Sequence, residues 1–201
     1  MQNDEFLRIL REQSPRRADP CSGGCALMVV DMQEHFRSMA GAILPRLSGL
    51  VQFCQQNEVP VIYTQHGHKN TQSDGGMLAE WWGDIIVSDS FDAQLMPEIA
   101  PQPGEKIVAK NRYSAFYKTD LEEYLKTKEI RNLIIGGVMT NLCCETTARD
   151  AFMRDYRVFF LADGTATATE ELHQATLRNL AFGFAYLVTC EEIIGQLNGS
   201  V

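Results

Sequence analysis

The sequence predicts an α/β fold: three layers, α/β/α, around a central, mostly parallel sheet of about six strands. Three observations predict it. Short apolar runs without alternation recur along the chain, amphipathic helical stretches separate them, and 201 residues with 45% hydrophobic content can bury one large core. Continuous apolarity suits a strand covered on both faces, as in a parallel sheet. Strands alternating with helices place those helices on both sides of it. With no internal repeat or low-complexity linker, the layout is an N-terminal arm over residues 1–20 and one domain over residues 21–201.

Residues 1–20 are polar, contain Pro15 and Pro20, and read as a surface arm or short helix. The run from Ala26 to Val30 is the first strand and ends at Asp31. Leu44, Leu47, Val51 and Cys54 recur at helical spacing, with Pro60 just beyond. Residues 61–64 are the second strand, and the Gly-rich residues 67–83 read as a long loop, a length that is usually functional. A third strand over residues 106–109 ends at Lys110. Thr119 and Glu122 have the spacing of a capping box for a helix through about Lys126. Residues 133–135 form a strand closed by Gly136 and Gly137. The helix after it starts near Asn141 and aligns Cys144, Ala148, Ala151 and Phe152 on one stripe. A strand over residues 158–161, a helix from about Thr169 burying Leu172, Thr176 and Leu180, and a last strand over residues 186–188 complete the series.

A formal net charge of −8 argues against a nucleic-acid or anionic-membrane surface, because phosphate binding draws on concentrated Lys and Arg. It leaves a small-molecule substrate open. No run of about 18 apolar residues exists, and Met1 to Arg17 lacks the apolar stretch of a signal peptide, so a cytoplasmic location is expected. The six cysteines are scattered in a chain too large to need staples and read as reduced thiols. Cys21 and Cys25 have the look of a metal knuckle, but a closed zinc site needs four ligands and no second pair stands at matching spacing.

In parallel sheets ligands bind outside the carboxyl ends of the strands. Asp31, Lys110 and the turn ahead of Cys143 each occupy such an end. Cys143 falls in the first turn of a helix, where free N–H groups and the helix dipole favour a thiolate and could bind an oxyanion. Alone, Cys143 would be an inert buried thiol, Asp31 a turn or cap, and Lys110 a surface charge. Together they supply a nucleophile, a base that can take its proton, and an ammonium that balances the carboxylate.

Three stretches resemble the isochorismatase-like cysteine-hydrolase superfamily, over about residues 25–192. Residues 27–36, which contain Asp31, Gln33 and Phe36, resemble its first strand and catalytic Asp. Residues 110–116, from Lys110 through Tyr113 to Phe116, resemble its catalytic Lys and the Ser-Ala-Phe that follows. Residues 137–148 resemble its nucleophile turn at Cys143. The resemblance implies Asp31, Lys110 and Cys143 as the catalytic group, a cis peptide at Val138–Met139, and an oxyanion hole from the N–H groups of Met139 and Cys143. It also implies a covalent route, in which Cys143 attacks an amide carbonyl and water hydrolyses the thioester, and a homo-oligomer.

Family members include nicotinamidases, ureide and carbamoyl amidases, and isochorismatases. Residues 112–116 and 77–83 are similar to the isochorismatase branch, which generally has Gly where Cys143 stands. The thiol therefore favours amide hydrolysis, with nicotinamide the best single guess. Isochorismate cleavage with Asp31 as acid is the alternative, and a silent interaction protein on the same fold is the rival from another class. Nicotinamidases usually carry an Asp-x-His metal pair, but here His66 and His68 stand in the matching stretch. They could hold zinc or manganese with Asp74 and water. Two sure ligands fall short of three, so the expectation is that they line the pocket mouth and that no cofactor is required. Phe36, Tyr113 and Trp81 are expected to contact the substrate, and Arg112 to pair with a substrate carboxylate through its fork. Asp163 reads as a turn residue.

Overall fold

The computed structural model describes residues 2–14, 16–20 and 24–199. Cys21, and with it the knuckle expectation, lies outside them. The first half of the chain forms α1 (Gln2–Gln13), β1 (Cys25–Val30), α2 (Arg37–Ala40), α3 (Leu44–Gln56), β2 (Val61–His66), α4 (Thr71–Asp74), α5 (Gly76–Trp82) and β3 (Lys106–Lys110). The second half forms α6 (Leu121–Thr127), β4 (Asn132–Val138), α7 (Glu145–Met153), β5 (Arg157–Ala166), α8 (Glu170–Gly183), β6 (Tyr186–Val188) and α9 (Cys190–Asn198). The six strands make one sheet in the order β3-β2-β1-β4-β5-β6, and every pairing is parallel.

Successive side chains of a strand point to opposite faces, which divides the core in two. From β1, Ala26, Met28 and Val30 join one layer with Leu133 and Ile135 of β4, Ala148 and Ala151 of α7 and Leu177 and Leu180 of α8. Leu27 and Val29 join the other layer with Leu47, Leu50 and Val51 of α3 and Ile193 and Leu197 of α9. β1 is buried on both faces, which is why its sequence shows no alternation.

The strand order places the functional crevice. The chain winds outward from β1 through β2 to β3, then returns to the other side of β1 for β4. Their junction is the topological switch point, where the carboxyl ends leave a crevice. Here Val30 pairs with Gly137. Gly137 has φ +119°, and a Cβ on it would stand 2.1 Å from the Val30 carbonyl oxygen. Only glycine allows the two strands to approach so closely.

Several expectations change. Residues 67–83 carry α4 and α5 in place of an irregular loop. The Asn70 side chain accepts from the N–H groups of Gln72 and Ser73 and starts α4. No capping box forms at Thr119. Its hydroxyl donates to the Ala115 carbonyl at 2.5 Å, α6 begins after Asp120, and Glu122 turns to Lys126 and Arg154. Phe152 and Leu172 are exposed at 45% and 42%, so the stripes of α7 and α8 run through Thr147 and Leu177 instead. Asp163 lies within β5 and accepts the Cys190 N–H at 2.8 Å, at the start of α9, a helix the periodicity argument passed over. Residues 2–13 form a helix whose Leu7 and Leu10 are buried against α8. Arg11 ties that helix to α9 by donating to both carboxylate oxygens of Glu192, at 2.7 and 2.5 Å. No helix among the described residues is long and apolar enough to cross a membrane.

Candidate active site

Asp31 is the first residue past β1 and takes φ 47°, a left-handed conformation that Asp tolerates better than most residues. Its carboxylate is fully buried. The Thr64 hydroxyl of β2 donates to Asp31 Oδ1 at 2.5 Å and accepts the Asp31 N–H at 3.0 Å. Lys110 ends β3, two strands from β1 in the sheet. Strands lie about 4.8 Å apart, and the four-carbon stem of Lys110 covers that gap to bring Nζ within 2.7 Å of Asp31 Oδ2. Neither side chain exposes any surface. Nζ also donates to the Arg112 carbonyl at 3.1 Å.

Cys143 arrives from the other side of the switch point. β4 ends at Val138, the Val138–Met139 peptide is cis, as the resemblance implied, and a single π-helical turn follows over Thr140–Cys144. The turn is closed by the Cys144 N–H donating to the Met139 carbonyl at 3.2 Å, a five-residue span of the kind often found at functional sites. Two tethers hold it. The Thr140 hydroxyl meets His173 Nδ1 of α8 at 3.0 Å, and His173 Nε2 lies 3.1 Å from the Ala162 carbonyl. A carbonyl only accepts, so Nε2 carries the ring proton and Nδ1 receives the Thr140 hydroxyl. The Thr167 hydroxyl donates to Asn141 Oδ1 at 2.5 Å.

The three expected catalytic residues therefore meet. Cys143 lies beside both Asp31 and Lys110. A carboxylate oxygen of Asp31, a ring nitrogen of His66 and Cys143 Sγ all lie within 4.8 Å of one another. Burial works against the charge on Asp31, but Lys110, then His66, hold its carboxyl below the usual value. Burial likewise opposes the Lys110 ammonium, and Asp31 and Cys143 together hold its pKa above that of an ordinary lysine. The expectation of a resting thiolate is corrected. Burial pushes the Cys143 thiol up to about 12; Lys110 opposes this and Asp31 adds to it. The resting group is a thiol beside a carboxylate.

A cavity of about 410 Å³ opens onto Cys143, lined among others by Phe36, His66, Trp82, Tyr113 and Met139. That volume suits a small metabolite. Phe36 and Tyr113 stand where the sequence placed them. Trp81 does not: it is 75% exposed, and its neighbour Trp82 forms the wall, donating from Nε1 to the Tyr113 hydroxyl at 2.8 Å. Arg112 is also displaced from its expected role. Its guanidinium donates to the carbonyls of Asp74 and Asn111 at 2.8 and 2.6 Å and packs over Gly76. It fastens the turn between α4 and α5 instead of facing a substrate. Sequence reasoning missed Thr64, His173 and Gln33. Gln33 clamps the end of β2 by donating to the His66 carbonyl and accepting the His66 N–H, both at 2.8 Å.

His66 and His68 stack edge to face with ring centroids 5.1 Å apart. His66 Nδ1 and His68 Nε2 are both buried without a hydrogen-bond partner, which is how metal ligands without their ion look. The other donors that stand with His66 are an Asp31 oxygen and Cys143 Sγ, the groups the expected attack itself needs. Asp74 accepts from His68 Nδ1 at 3.1 Å and from the Lys69 N–H at 2.8 Å. The carboxylate nearest His66 is Asp31, already neutralised by an ammonium. A dication bound there would sit against the positive charge of Lys110.

The sequence profile of the Isochorismatase domain family matches residues 25–192. Nicotinamidase 3 of Arabidopsis thaliana is 49% identical over 193 residues, covering 94% of this chain and 97% of its own. Enterobactin synthase component B of Escherichia coli K12 is 31% identical over 84% of this chain, which spans 62% of that longer protein. Among solved structures, a cysteine hydrolase from Pseudomonas syringae pv. phaseolicola superposes with a TM-score of 0.85 at 28% identity, over 88% of this chain and 93% of the other.

Proposed function

This chain belongs to the isochorismatase family of hydrolases, and from that premise we propose that it cleaves the C–N bond of a small carboxamide, with nicotinamide the foremost candidate. The observation that carries the proposal is a thiol, Cys143, that lines a cavity and has the buried Asp31 carboxylate within 4.8 Å of its sulfur. Vinyl-ether cleavage needs an acid but no nucleophile. The 49% identity to a protein named nicotinamidase supports the same choice.

The reaction follows from the geometry. Asp31 takes the Cys143 proton as the sulfur attacks the carbonyl carbon, so no free thiolate has to persist. The oxyanion of the tetrahedral intermediate accepts N–H bonds from Met139 and Cys143 at the start of the turn. Asp31 returns its proton to the nitrogen, the C–N bond breaks, and ammonia leaves behind a thioester. Asp31 then deprotonates a water that attacks the thioester, releasing the acid and restoring the thiol. Lys110 keeps Asp31 anionic between these transfers. No step passes through a metal. A cytoplasmic location, a homo-oligomer, and residues 1–20 as an arm on one domain remain parts of the proposal.

The test is a panel of nicotinamide, ureido acids and isochorismate, with each product identified by mass. Nicotinamide or a ureide should be consumed, and Cys143→Ala should lower that kcat by at least about a thousandfold while still binding substrate. Asp31→Asn should cripple it as well. Amide turnover that survives in Cys143→Ala would remove the covalent route. Isochorismate turnover surviving it, with no amidase activity in the parent, would install Asp31 as the acid of a vinyl-ether hydrolase.

A further inference from the structure

The N–H groups of Met139 and Cys143, to which the reaction above gives the oxyanion, belong to neither the sheet nor a regular α-helix. β4 stops at Val138 and α7 begins only at Glu145. Within the turn that joins them, the Leu142 and Cys144 N–H groups donate to the Met139 carbonyl at 3.1 and 3.2 Å. Those bonds shape the turn but do not register it against the sheet. Oxyanion donors act only when they already point at the place where charge develops, and a displacement of about 1 Å can cost about a hundredfold in rate. Contacts from outside the turn must therefore fix its position.

Thr140, between the two donors, is fully buried, and its hydroxyl donates to His173 Nδ1 at 3.0 Å. On the other side of the ring, Nε2 donates to the Ala162 carbonyl at 3.1 Å, and because a carbonyl only accepts, both bonds have one direction. Ala162 lies in the part of β5, between Phe160 and Thr165, where the register against β4 shifts. Such irregularities re-aim groups of a strand and are frequent beside active sites. The relay thus runs from the sheet, through α8, to the turn. Thr167, the residue after β5, adds a second tether through Asn141 Oδ1. His173 does not line the cavity that Cys143 lines. Together with Thr167 it lines a different one, of about 720 Å³.

We propose that His173 is a positioning residue: through the Thr140 hydroxyl it fixes the turn so that the Met139 and Cys143 N–H groups face the oxyanion. The inference rests on the amide-hydrolase reading above and assigns to that reaction a residue that never touches substrate. An interaction that matters only once charge has developed on the carbonyl oxygen is felt in the transition state and not in the bound substrate. Its loss therefore appears in kcat and leaves KM alone.

The experiment measures kcat and KM for nicotinamide in the full chain, in His173→Leu, in Thr140→Val, in the double variant, and in His173→Asn, whose side-chain oxygen can stand near the Nδ1 position. Each kcat is referred to the folded fraction read from that variant's melting curve. His173→Leu and Thr140→Val should each lower kcat about tenfold or more, the scale of one hydrogen bond, with KM within about twofold of the parent. The double variant should fall no more than about twofold below the poorer single, because both changes break the same bond. His173→Asn should recover kcat to within about threefold of the parent. Losses that multiply in the double variant would overturn the proposal, as would an Asn variant no better than the Leu one. A rise in KM that accounts for the loss would overturn it by putting the ring against the substrate. Unchanged kcat per folded chain in both singles would leave His173 a structural residue only. A parent that converts no amide refutes the amide reading itself, before any variant is compared.

Discussion

Asp31 and Lys110 lie 2.7 Å apart with no exposed side-chain surface, and neither could stay charged there alone. Their shifts run in opposite directions, so the linkage has two signs. Asp31 is held below its usual value and its contribution to stability is present above about pH 4, lost only as pH falls through the lower folded value. Lys110 is held above its usual value, so its contribution is complete below about pH 10 and lost as pH rises through the folded value. Between those limits the pair is a fixed charge couple against which the Cys143 thiol titrates. Burial pushes Cys143 up to about 12 and raises Cys144 as well, and of the two only Cys143 lines the cavity. Iodoacetamide should therefore label Cys143 before Cys144 or Cys54, and the rate should go on climbing above pH 9 with no plateau near neutrality. Peptide mapping against pH checks both statements, and a plateau at pH 7 would mean a resting thiolate after all. The three proposed catalytic residues were legible because each closes a short apolar run or stands in the turn after one. Thr64, Gln33 and His173 were not, because each acts across the sheet or from a distant helix, and nothing local marks that.

Two segments show how far a local pattern can be trusted. Thr119 to Glu122 and Thr189 to Glu192 have the same Thr-x-x-Glu spacing. At Thr189 both halves of the box form: its hydroxyl accepts the Glu192 N–H at 3.2 Å, and Glu192 accepts the Thr189 N–H at 2.8 Å. At Thr119 the hydroxyl accepts the Leu121 N–H at 3.3 Å in place of that of Glu122, and Glu122 has two cations, so neither half forms. Thr189→Ala should cost about 1 kcal/mol of stability, the usual worth of an N-cap. Urea titration of that variant against the parent measures it, and an unchanged midpoint would show that α9 is held by its buried Ile193 and Leu197 alone. The strands were readable from continuous apolarity, and α3 from its period. The helices α4 and α5 were not, because seven residues or fewer carry too little periodicity, and what fixes their turn is Arg112, 38 residues on from Asp74.

The whole molecule turns on the seam between β1 and β4, since the fold reverses direction there and Asp31 and Cys143 approach each other across it. At Gly137 the backbones of that seam nearly touch. Gly137→Ala should cost several kcal/mol, on the order of 3 or more, because the φ is forbidding and the space is filled by Val30 backbone. A melting curve should show the loss, and a variant as stable as the parent would mean that the seam can part. The winding could be inferred from alternating strands and helices, but the strand order could not, because a short apolar run names no neighbour. That architecture has a consequence for descent. The proposed nucleophile, base and ammonium each stand at the end or in the exit turn of a sheet strand, whereas Trp82 belongs to the connection between β2 and β3. Mutation can therefore redraw the aperture in one contiguous stretch, residues 67–87, without touching the attacking atom. A lineage built this way inherits its chemistry conservatively and its diet freely.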